Sequence, residues 1–126
     1  MQMIKHYFHT SIIKLSTRIL NNDLLRHLAR AQSDTEPSIR TNTVILIGRL
    51  APSLSVISRR KVLVPAFSRA LKDSFVHARV AGLMAFMACG ELFEPEDIAK
   101  GVLPVVVGGL IDGHKYVIRF WLCWWF

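Results

Sequence analysis

Residues 63–79, LVPAFSRALKDSFVHAR, decide the fold. Leu63, Val64, Phe67 and Leu71 recur at helical spacing, Asp73 stands where that apolar run stops, and Arg79 follows six residues later. Shifting the sequence against itself by 39 residues lays this stretch over two others. Leu24, Leu63 and Val102 align, as do Leu25, Val64 and Leu103, and Leu28, Phe67 and Val106. Ala31, Ala70 and Gly109 form a small-residue column, and Asp34, Asp73 and Asp112 an acidic one. Arg40, Arg79 and Arg119 follow the three Asp residues, the last interval being one residue longer. Several columns at one period describe three copies of a single unit: helix, short Asp-containing turn, helix.

The second helix of each unit has its own apolar face. Ile39, Thr43, Leu46, Ile47 and Leu50 are predicted to share it in the first copy, and Ala78, Gly82, Ala85, Phe86 and Cys89 in the second. The run Ala81, Gly82, Ala85 and Ala88 suits close helix packing. Pro37 fits a first helical turn, where a missing N–H costs nothing. The three Asp residues precede the second helices, whose free N–H groups and positive dipole end favour a carboxylate. Pro65 and Pro104 fall inside the first helices of copies two and three and predict a recurring kink.

One hairpin cannot bury both of its apolar faces, whereas stacked hairpins share a core. The expected fold is therefore all-α, an α-solenoid of HEAT/armadillo-like helical hairpins. About three repeats are expected, over residues 21–54, 55–93 and 94–126, the last incomplete. Residues 1–20 are read as a leading helix, the second helix of a truncated preceding repeat. Solenoids close with polar caps, and neither this helix nor the aromatic run from Tyr116 to Phe126 is one, so the chain reads as a fragment of a longer array.

Composition narrows the function. The chain has 126 residues, 52% hydrophobic and 20% charged, which suits one globular domain and excludes a disordered chain. Its two cysteines exclude a disulfide framework and a four-cysteine zinc site, and a reducing, intracellular setting is expected. No run is long and apolar enough for a transmembrane helix. Residues 1–80 hold 13 Lys or Arg against 4 Asp or Glu, while the rest hold 3 against 5. A basic half of this kind suits an acidic partner.

No catalytic, phosphate-cradling or cofactor motif is present, so neither enzyme activity nor a cofactor is expected. His6 and His9 have no third ligand nearby, so no metal site is expected. Glu94, Glu96 and Asp97 read as first-turn acids, and Cys89 as a core residue. The basic residues carry the stronger signal. Arg26, Arg30, Arg59, Arg60, Lys61, Arg69 and Lys72 form a candidate surface for an acidic protein or RNA, set against a plain solvated face. No aromatic residues interleave them to stack bases. Asp34, Arg40, Asp73, Arg79, Asp112 and Arg119 are read as structural, tying the turns of neighbouring units together.

The stretches LLRHLARAQSD, IRTNTVILIGRLA, RRKVLVPAFSRALKDSF, ARVAGLMA, VLPVVV and LID, in this order over Asn22 to Asp112, resemble the HEAT-repeat segment of the Scy-like (N-terminal-kinase-like) pseudokinases. In that family a kinase-like domain without normal catalytic residues precedes a HEAT solenoid and a basic tail. The resemblance implies a non-catalytic scaffold or adaptor with protein partners. These include coatomer in Golgi–endoplasmic reticulum vesicle traffic, or the machinery of nuclear tRNA export, with direct tRNA binding as the alternative. It implies a cytoplasmic location, at the Golgi or the nuclear pore. After Tyr116 the sequence departs from the family: VIRFWLCWWF, residues 117–126, stands where a charged amphipathic helix is expected.

Overall fold

The computed structural model describes residues 18–125; residues 1–17, where most of the leading helix is expected, with His6 and His9, lie outside the described residues, as does Phe126. Six α-helices carry the architecture: α1 (Leu25–Ala31), α2 (Pro37–Leu50), α3 (Val56–Leu71), α4 (Val76–Ala88), α5 (Leu103–Gly108) and α6 (Lys115–Trp125). No strand occurs among the described residues. A π turn over Ile19–Leu24 leads into α1. A single α turn, Pro95–Asp97, and a second π turn, Ile98–Val102, lead into α5. The helices follow one another as three hairpin units, α1/α2, α3/α4 and α5/α6; the third is stacked on the second through α5 against α3 and α6 against α4, giving an α-solenoid of helical repeats.

The stack is held from its middle. Helix α4 packs against both α2 of the preceding hairpin and α3 of its own. Phe67, Leu63, Leu83, Ile47 and Leu50 are fully buried there, and Phe67 meets the edge of Phe86 at 5.2 Å. Of the apolar column, Leu28 and Phe67 are buried and Val106 packs against the core from the third hairpin. Small residues set the spacing: a side chain on Gly82 would stand 3.0 Å from the Ala70 methyl and 3.2 Å from the Phe67 carbonyl. Ala81 and Ala85 are buried beside it, whereas Ala88 is exposed. Cys89 is buried, its thiol donating to the Gly48 carbonyl, and burial pushes its pKa up. It is a core residue.

Three local expectations are corrected. Ile39 is exposed, and Val44 is buried with Thr43, Ile47 and Leu50, so the buried face of α2 is centred nearer Val44 than Ile39. Pro65 lies within a continuous α3, while Pro104 sits at the start of α5 directly after the π turn, so the two prolines do not mark the same local structure. Arg119 does not repeat Arg40 and Arg79. The second helices begin at Pro37, Val76 and Lys115, 39 residues apart throughout, so the register does not slip. The third residue after each start is Arg40, Arg79 and then Ile118; Arg119 occupies the column of Thr41 and Val80.

Truncating the buried ring at the centre tests this core. Phe67→Ala is expected to cost about 3–5 kcal/mol, read as a large drop in melting temperature, and an unchanged transition would count against the packing.

Candidate functional site

Two sets of polar side chains stand out, and they do different things. The first lies at the turns. Asp34 Oδ1 accepts the Glu36 N–H at 2.9 Å, Asp73 Oδ1 the Phe75 N–H at 2.9 Å, and Asp112 Oδ1 the His114 N–H at 2.8 Å. Each carboxylate thus sits two positions before the cap residue and holds that residue's N–H, shaping the turn. The carboxylates of Asp73 and Asp112 also face the preceding hairpin.

There the guanidinium groups meet them. Arg40 forks Asp73 through Nε (2.7 Å to Oδ2) and Nη2 (2.9 Å to Oδ1), while its Nη1 donates to the Asp34 and Thr35 carbonyls of its own turn. Arg79 repeats this, forking Asp112 at 2.7 and 3.1 Å and donating to the Asp73 and Ser74 carbonyls. One planar fork with donors on both sides joins two turns, which a lysine ammonium does not do. The bond from Arg40 holds the Asp73 carboxyl below the usual range against the opposing effect of burial, and the bond from Arg79 does the same for Asp112. Among the described residues no guanidinium bonds the Asp34 side chain, and Arg119 forms no ion pair.

The second set is the basic surface, and the structure divides it. Arg59 donates to the Ala51 and Pro52 carbonyls at 3.0 and 2.7 Å, closing the end of α2. Arg60 pairs with Asp97 at 3.1 Å, bridging the second and third hairpins, and this bond raises the Arg60 pKa. Arg69 donates to the Gln32 side-chain oxygen at 3.3 Å. Arg26, Arg30, Lys61 and Lys72 are exposed and have no hydrogen-bond or ion-pair partner among the described residues. Of the acids around Pro95, Glu96 pairs with Lys100 and Asp97 with Arg60.

Sequence reasoning gave no role to Gln32. Gln32 is buried, its amide donates to the Ala66 carbonyl at 3.1 Å, and its oxygen receives Arg69. A polar residue in an otherwise apolar column was the available signal. No cluster of His, Cys, Asp or Glu suited to a metal ion occurs among the described residues.

No protein-family model matches the sequence. Individual proteins do. The protein kinase domain-containing protein ppk3 of Schizosaccharomyces pombe is 43% identical over 84% of this chain. The probable inactive serine/threonine-protein kinase scy1 of Dictyostelium discoideum is 37% identical over 75% of it. Cytoplasmic export protein 1 of Saccharomyces cerevisiae is 43% identical over 59%. The crystal structure of Cex1p superposes with a TM-score of 0.77 and 41% identity, over 84% of this chain and 20% of that one. The chain belongs to the Scy-like pseudokinase family. It spans 17%, 12% and 10% of the lengths of these three Scy-like relatives. It corresponds to a helical-repeat portion of them.

The forks between turns predict an acid-sensitive stability. A carboxyl whose folded pKa lies below its unfolded value of about 3.9 stabilises the fold above that pH and loses the contribution as pH falls through the folded pKa. Asp73→Ala is expected to cost at least about 1 kcal/mol at neutral pH. The melting-temperature gap from the parent chain is expected to narrow below about pH 4; a gap that widens in acid would contradict the pairing.

Proposed function

We propose that this chain is a non-catalytic scaffold segment of a Scy-like protein, holding protein partners in coatomer-linked Golgi–endoplasmic reticulum traffic or in nuclear tRNA export. The observation that carries this reading is the division of the charged side chains. The Arg40–Asp73, Arg79–Asp112 and Arg60–Asp97 pairs join one hairpin to the next, and Arg26, Arg30, Lys61 and Lys72 are left as outward cations. Charges used in this way build a surface and hold it in shape. The names of relatives support it: one is a probable inactive kinase and another a cytoplasmic export protein. No helix among the described residues is long and apolar enough to cross a membrane. A cytoplasmic scaffold, docking at the Golgi or the nuclear pore through its partners, fits these features.

The unpaired cations favour one second reading, direct binding of tRNA. Phosphate contacts would give affinity that falls steeply with salt. A filter-binding titration with tRNA separates the two. The scaffold reading expects only non-specific affinity at physiological salt, weaker than about 1 μM. A tighter complex, lost when Arg26, Arg30, Lys61 and Lys72 are together changed to Glu, would replace it with the RNA reading. Arg59, Arg60 and Arg69 are left intact in that variant because their bonds hold the fold.

A further inference from the structure

A groove of about 170 Å³ runs between α1 and α3. Leu25 and Ala29 form its α1 wall, Val62 and Pro65 its α3 wall, and Ile47 and Ala66 lie between them. Lys61 and Arg69 also line it, and no acidic residue does. These two cations are eight residues apart on one helix, which separates their Cα atoms by about 12 Å. The apolar walls therefore have a positive charge toward each end of the α3 side.

The rest of the neighbourhood has the same sign. Arg26 and Arg30 each follow a groove-lining residue of α1 by one position and are exposed. Arg69 is held in place from across the groove by Gln32, whose own amide is anchored on the Ala66 carbonyl. Pro65 has no N–H for the Lys61 carbonyl four residues earlier, so the α3 wall lacks one internal helical bond. This leaves a hydrogen-bond acceptor beside the groove.

We infer that the α1–α3 groove docks an acidic segment of a partner protein, with a bulky apolar side chain seated against Leu25, Val62 and Ala66 and carboxylates paired with Lys61 and Arg69. This rests on the scaffold reading and names the chemistry of its partner. Charge complementarity selects the occupant: the lining carries two cations and no anion. The apolar walls favour a protein over a nucleic acid. A phosphate backbone has nothing to bury against them, and no aromatic ring lines the groove to stack a base. A carboxylate-bearing peptide with an apolar anchor satisfies both features.

The test uses fluorescence anisotropy with a labelled amphipathic peptide of glutamate and leucine, an all-glutamate peptide of the same length, and tRNA. The Glu/Leu peptide is expected to bind saturably and more tightly than the all-glutamate one. Lys61→Glu replaces an attraction with a repulsion and is expected to raise its Kd about ten-fold or more. Ala29→Trp, which fills the groove from an exposed position, is expected to do the same without any charge change. Both variants are checked for an unchanged helical signal and melting temperature. Lys115→Glu, on α6 outside the groove, is expected to leave the Kd unaltered. Failure of the Glu/Leu peptide to bind, equal affinity for the all-glutamate peptide, or indifference to both groove variants overturns the docking site and leaves the scaffold reading standing. Tight tRNA binding that Lys61→Glu abolishes overturns both.

Discussion

A helical hairpin of this length presents two apolar faces and has only one partner helix within itself to cover them. Everything else in the structure answers that constraint. Helix α4 is covered on one side by α3 and on another by α2 of the neighbouring hairpin, and its buried face is made of Ala78, Ala81, Gly82, Leu83, Ala85 and Phe86. The small residues let the backbones approach, and the Phe67–Phe86 pair fills the space left between them. Burial of this kind is non-directional. It draws the hairpins together without setting their relative height.

The forked pairs supply that direction. Arg40 binds its own turn through two carbonyls and the next turn through one carboxylate, so a slip of one hairpin along its neighbour breaks several charge-assisted bonds at once. The contacts recur between Arg79 and Asp112 with the same donors and acceptors. The pattern then changes. At the equivalent place on α6 stands Ile118, and Arg119 is turned about 100° away around the helix. There it lines an apolar groove with Val76, Val80, Tyr116 and Phe120. The third hairpin accepts a fork from the second but carries none of its own at that position.

The basic residues show how one chemical type is put to separate uses. Arg59 closes the end of a helix, Arg60 ties two hairpins, and Arg69 leans on a buried glutamine. Of the seven residues of the candidate basic surface, Arg26, Arg30, Lys61 and Lys72 remain as outward charge without a partner among the described residues. The count of 16 Lys and Arg therefore overstates the cations free for an acidic partner, because several are paired within the stack, while the net charge of +7 already subtracts their acidic partners.

The repeat, the helical class and the stacking of hairpins were legible in the sequence, because a period of 39 residues and apolar spacing near 3.6 are properties of the chain itself. So was the residue type at each turn, since Asp and Arg stand at fixed offsets in the first two copies. Tertiary structure decided which partner each charge takes. Arg40 forks the carboxylate of Asp73 and meets only the backbone carbonyl of Asp34, and Arg59 reaches a carbonyl rather than solvent, through contacts between segments that no local pattern orders. It also decided the place of Arg119, where one residue of offset along a helix moves a side chain to a different face. Period and composition are local quantities, whereas the pairing of a long cationic side chain depends on which neighbour packing brings within reach.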